Sequence, residues 1–179
     1  MAAALAGSAL LAGTGCGGGD ADPSAEGGSF LAFASAFEGF RTWPSTPLGG
    51  EPIPESPHAS GPRVVYVNHA PAAGSTAFPV GTVIVKEFAG TAAAPAKIFA
   101  MVKRGGGFNS AGAAGWEWFE LHTTSAAPES PVSIVWRGVG PPLGEIYGGD
   151  PNGGCNGCHA GARASDFVQT PGLALSSFK

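Results

Sequence analysis

Near the end of the chain stands Cys155-Asn156-Gly157-Cys158-His159, a C-x-x-C-H sequence. Thiols at i and i+3 of one helical turn lie on the same side, where they can add to the two vinyl groups of a haem. The adjacent imidazole then reaches the iron from that side. The spacing is that of a c-type haem attachment site, with Cys155 and Cys158 as thioether anchors and His159 as proximal iron ligand. The cofactor implied is one covalently attached haem c. A closed zinc site would need four ligands, usually from a second Cys pair or paired histidines; His58, His69 and His122 are single and scattered. A thioredoxin-like redox pair belongs to a βαβ context, and no such pattern surrounds this motif.

The far side of the iron separates an electron carrier, which fills it with Met or His, from a gas binder or an enzyme, which leaves it open. Met101 in KIFAMVKR and the histidines His58, His69 and His122 are the candidate sixth ligands. Each also has an ordinary reading as a core or surface residue, so the residues alone leave the choice open.

Those side chains need a scaffold. The runs RVVYVN, TVIVKEF, KIFAMVKR, WEWFELH and VSIVWRG are rich in β-branched and aromatic residues and are flanked by Gly and Pro. Turn-like spacers join them, which favours an antiparallel sheet. Ahead of them, FLAFASAFEGFRTW places Phe30, Phe33, Phe37 and Phe40 at helical spacing, and Pro44 ends the pattern; an amphipathic helix is expected there. The Pro-rich stretch PSTPLGGEPIPESPHASGP reads as a loop, and ASDFVQTPGLALSSF as room for a short helix. The fold class expected is α+β: a mainly antiparallel sheet with a few flanking helices.

Composition agrees. Among 179 residues, Gly (30) and Pro (16) are abundant and charged residues make up only 12%, which favours turns and short elements over long surface helices. The net charge is −4 with no basic run, so nucleic-acid binding has no electrostatic support. No apolar stretch reaches the roughly 18 residues of a membrane-spanning helix. The third cysteine, Cys16, closes ALLAGTGC, where an apolar run meets small residues, and the sequence looks like a bacterial lipoprotein signal lipidated at Cys16. It departs from such signals in having no Lys or Arg before Arg41 and Gly13 three residues before the cysteine. Residues 1–16 thus read as a signal segment, 17–29 as a flexible linker and 30–179 as a single haem domain. An exported, periplasmic protein attached to a membrane by the lipid alone is expected.

The strand segments carry more than propensity. FPVGTVIVKEF, MVKR, GWEWFEL and CNGCHAGARASDFV, in that order and with RVVYVN ahead of them, resemble the cytochrome P-460 family and its relative cytochrome c-prime beta. The resemblance runs from about residue 30 to 179. It implies a haem packed against an antiparallel sheet, His159 as proximal ligand, an open or water-bearing distal side, and a homodimer. It also implies that Lys86 corresponds to the lysine joined covalently to the haem ring in P-460 proteins. Phe78, in AFPVG, corresponds to a distal aromatic capping the iron, which favours nitric oxide or carbon monoxide over stabilised dioxygen.

From the residues alone, alternation puts Thr82, Ile84, Lys86 and Phe88 on one strand face, and an edge-strand lysine reaching water is the ordinary reading of Lys86. One departure concerns the distal glutamate of the hydroxylamine-oxidising members: the matching stretch here carries Phe99 and Ala100. The nearest carboxylates are Glu87, which alternation places opposite Lys86, and Glu120. Arg104 and Arg137 are candidates for haem propionates. The expected function is that of a mono-haem cytochrome acting on, or binding, small nitrogen species such as hydroxylamine or nitric oxide, with a redox partner such as another cytochrome. Lys86 and Phe78 are its candidate catalytic side chains. The alternatives are a nitric-oxide scavenger or carrier without catalysis, and an electron-transfer cytochrome.

Overall fold

The computed structural model describes residues 28–49, 62–90, 96–145 and 154–178. Cys16, His58, the signal segment and nearly all of the linker lie outside these. The five β-rich runs become strands within a residue or so of their expected ends: β2 (Arg63–Val67), β3 (Val83–Phe88), β4 (Lys97–Lys103), β5 (Trp116–Thr123) and β6 (Val132–Gly138). A further strand, β1 (Ser45–Leu48), lies in the Pro-rich stretch expected to be a loop. It forms because it is an edge: Pro47 has no N–H to donate, and an edge strand needs donors on one side only. The strands are ordered β1-β2-β3-β4-β5-β6, each antiparallel to the next. Among the described residues there is also one short α-helix, α1 (Gly154–His159), with several 3-10 turns, and the architecture is α+β.

Both faces of the sheet are covered. On one, Val83, Val85, Ala100, Val102, Phe119 and Leu121 pack with Phe37 and Phe40 of the N-terminal segment. On the other, Val65, Val67, Ile84, Met101, Trp116 and Trp118 pack with Phe167, Val168, Leu173 and Leu175 of the C-terminal segment. This is why β5 is buried without alternation from Trp116 to Leu121: each face of the pleat meets its own core.

The amphipathic helix expected from Phe30 to Phe40 is not formed. The segment folds as two 3-10 turns, Ala34–Phe37 and Phe40–Thr42, parted by Gly39 in the left-handed region (φ 66°). Before them the chain is extended, because Ser29 bridges Gly105 and the Phe30 N–H donates to the Arg104 carbonyl at 2.8 Å. Phe37 and Phe40 are buried as the spacing requires, whereas Phe33 is 63% exposed. The short helix expected after the motif is replaced by 3-10 turns at Ala160–Ser165, Pro171–Leu173 and Leu175–Ser177.

Candidate functional site

The C-x-x-C-H residues form α1, and α1 lies against the Trp118 face of the sheet. Its anchor is Asn156, the first intervening residue of the motif. The Asn156 carbonyl oxygen accepts from Asn109 Nδ2 (2.8 Å), Trp118 Nε1 (2.9 Å) and the Ala113 N–H (3.2 Å). Its amide donates to Asn109 Oδ1 (3.1 Å) and to the Val139 carbonyl (3.0 Å). The loop between β4 and β5 thereby clamps the motif onto the sheet. The approach is close: a Cβ on Gly112 would stand 2.4 Å from the Asn156 amide carbon.

Cys155 and Cys158 are free thiols, the first half-buried and the second exposed. Burial foremost pushes the Cys155 thiol up to about 12, so it is protonated at neutral pH. His159 Nδ1 is 2.6 Å from the Phe167 carbonyl. A carbonyl only accepts, so the ring proton sits on Nδ1 and Nε2 keeps its lone pair. Burial, reinforced by the Lys86 charge and opposed by that hydrogen bond, pulls His159 down to about 4. The imidazole is therefore neutral, and its ring centroid lies 4.6 Å from that of Trp118. Gln169 donates to the Cys158 carbonyl and ties down the end of the motif.

Lys86 is brought to this group. In register it lies opposite Val65 on one side and Phe99 on the other, on the face that carries Ile84, Met101 and Trp118. Its ammonium stands 5.4 Å from the Phe88 ring centroid. Burial first, and then the Arg63 charge, lower its pKa to about 8, while Cys155 and Cys158 act in the opposite sense. The amine thus lies within electrostatic reach of both thiols and of His159. Arg63, on the same face one pair further along β2, is a neighbour that the sequence reading passed over.

The two candidate carboxylates separate as alternation requires. Glu87 points to the far face and pairs with Arg41 at 2.6 Å. Glu120 is on the Lys86 face, across Phe99 in register. It is buried, and it accepts from Lys97 Nζ (2.6 Å) and Trp136 Nε1 (2.9 Å). Arg104 and Arg137, the candidates for haem propionates, are engaged with a carboxylate of the chain. Both guanidiniums hold Glu117, Arg137 through two bonds of 2.7 and 2.8 Å and Arg104 at 3.2 Å. Glu117 is opposite Val102 and Arg137 opposite Phe119, which belong to the other core.

Phe78 is 2% exposed, with its ring 5.8 Å from Trp116 and 6.4 Å from Phe178, edge-on to both. Core packing accounts for these contacts. Met101 is buried within β4 between Ile84 and Trp118 in register. His69 shares a 3.3 Å contact with Thr82 Oγ1, and His122 is exposed at the end of β5. Among the described residues no group of three or more His, Cys, Asp or Glu is placed to hold a metal ion. Cys155, Cys158 and His159 remain the residues suited to holding a cofactor by covalent or coordinate bonds. No known family, curated protein or solved structure matches this chain.

Proposed function

We propose that this protein is a mono-haem c-type cytochrome of the P-460 type that binds, and acts on, small nitrogen species at an open distal site. The observation that carries the reading is the His159 Nδ1–Phe167 carbonyl bond. It leaves a neutral imidazole presenting Nε2 on the same short helix as two free thiols. A ligating histidine characteristically donates its other ring N–H in this way. Cys155 and Cys158 would anchor the haem and His159 would hold the iron; bound haem supplies the redox couple and the coordination position for substrate.

The chain's own residues set the surroundings. Lys86 places a half-buried amine beside the motif and tunes the site by its charge, or by a bond to the ring as the resemblance implies. Among the described residues Glu120 is a sheet carboxylate on that face, suited by type to take a proton from a bound N–H or O–H. The second reading, a nitric-oxide carrier without turnover, is favoured by the two hydrogen bonds that already occupy Glu120. Lipid anchoring at Cys16, a periplasmic location, a homodimeric state and a cytochrome redox partner belong to the same proposal. Among the described residues no helix is long and apolar enough to cross a membrane.

The test is expression with a c-haem maturation system, followed by intact mass, ferrous spectrum and hydroxylamine turnover on one sample. Covalent haem with a red-shifted ferrous Soret band that Lys86→Ala returns to an ordinary c-haem spectrum supports the P-460 reading. A normal high-spin haem that binds nitric oxide without turnover selects the carrier. A chain that takes up no haem, or a low-spin spectrum indifferent to nitric oxide, defeats both.

A further inference from the structure

The carbonyl that receives the His159 proton belongs to an improbable piece of backbone. Asp166 (φ 51°) and Phe167 (φ 66°) are consecutive residues in the left-handed region. Asp tolerates that region, because its short polar side chain bonds locally, but for a bulky aromatic it is a strained outlier. Such a turn persists only where its surroundings over-determine it. Here they do. Lys103, the last residue of β4, reaches across to Asp166 Oδ1 at 2.7 Å, with both side chains almost wholly buried. Asp166 Oδ2 accepts the Phe78 N–H at 2.9 Å. Lys103 Nζ also donates to the Ala114 carbonyl at 3.2 Å and lies 5.1 Å from the Trp116 ring centroid. The carboxylate is therefore gripped from two sides, by β4 and by the segment before β3. The next residue directs its carbonyl at His159.

We infer that the buried Lys103–Asp166 ion pair is a positioning device for His159: it holds the left-handed turn that aims the Phe167 carbonyl at Nδ1, and so fixes the tautomer and the orientation of the imidazole. The same geometry gives Phe78 a place in the site through its backbone, as a second clasp on Asp166. A hydrogen bond to Nδ1–H makes the imidazole a stronger donor at Nε2 and favours the oxidised metal. Only this last consequence rests on the haem reading; the positioning itself is a property of the chain.

Two measurements on the full chain decide it. In the haem-free protein at pH 7, nitrogen-15 spectra of His159 are expected to show the Nδ1–H tautomer alone. Lys103→Met and Asp166→Asn are each expected to mix in the Nε2–H tautomer, while Lys103→Arg restores the wild-type spectrum. Arg41→Gln, which breaks a comparable pair on the opposite face, leaves it unchanged. In the haem-loaded protein, Lys103→Met and Asp166→Asn are both expected to raise the reduction potential. The sign for Lys103→Met discriminates, because losing a positive charge acts by itself to lower the potential. A single Nδ1–H tautomer in both variants, or a lowered potential in Lys103→Met, overturns the inference. A wild-type chain that binds no haem defeats the haem reading alone, and the tautomer measurement still stands.

Discussion

On the face that packs against Phe37 and Phe40, the charged side chains are matched. Glu87 sits with Arg41, and Glu117 between Arg104 and Arg137. On the face that packs against residues 154–178, burial works on groups held close to one another: it pulls Lys86 and His159 down and pushes Cys155 up. All three shifts favour the uncharged forms; for the Lys86 amine and the His159 imidazole these are the forms that bond to carbon or to a metal, whereas the Cys155 thiol must lose its proton to act as a nucleophile. The first face uses its charges to hold the sheet; the second does so too, through Lys97–Glu120 and Lys103–Asp166, but it also draws Lys86 and His159 toward their neutral forms at some cost to the fold.

Three measurements break or sharpen that contrast. The largest effect is expected at Glu117, which is 2% exposed. Glu117→Gln leaves two guanidiniums without their carboxylate and is expected to cost about 3 kcal/mol of stability, read from the denaturant midpoint. A cost below about 1 kcal/mol would mean that this face does not depend on its pairs.

The next concerns acid. His159 binds its proton near 4 in the folded chain, against 6.5 for an ordinary histidine. Between those values the unfolded chain holds more protons, so stability falls as the pH drops through that window. The expected loss is about 3 kcal/mol by pH 4. His159→Gln should flatten the urea-midpoint profile of the haem-free chain over this range. An unchanged profile would remove His159 from the buried, neutral group.

The smallest effect is the one with the opposite direction. Lys86 titrates near 8 when folded and near 10.5 when unfolded, so the wild-type chain gains stability as the pH rises through that window. Lys86→Met is expected to stabilise the haem-free protein at pH 7 by about 2 kcal/mol, allowing for its partial exposure, with the gain fading by pH 10.5. A loss of stability at pH 7 would show that Lys86 serves the fold and not the site.

The sequence made the strands legible because β-branched runs bounded by Gly and Pro have few other uses, and Lys86 and Glu87 fell on opposite faces as alternation demands. It misled over Phe30 to Phe40, where spacing of three and four residues fits two 3-10 turns around Gly39 as well as it fits a helix. β1 was hidden by Pro47. In the site, Cys155, Cys158 and His159 announce themselves by spacing. Asn156 and Asp166 do not, because their roles depend on partners such as Asn109 and Phe78, which lie 47 and 88 residues away in sequence. No local pattern encodes such a meeting. The arginines are a related case: residue type fits them for a propionate, and only the register shows that they hold Glu117 on the other face.

The strand order has a consequence for how the molecule assembles. Each strand pairs with its successor, so the sheet gathers from contacts close in sequence and pays little loop-closure entropy at each step. The segment after β6 is different, for its bonds to Trp118, Asn109 and Phe78 span 38, 47 and 88 residues. On entropic grounds it docks onto a surface already built. The second core is thus sealed last, by the same stretch of chain that carries the two thiols.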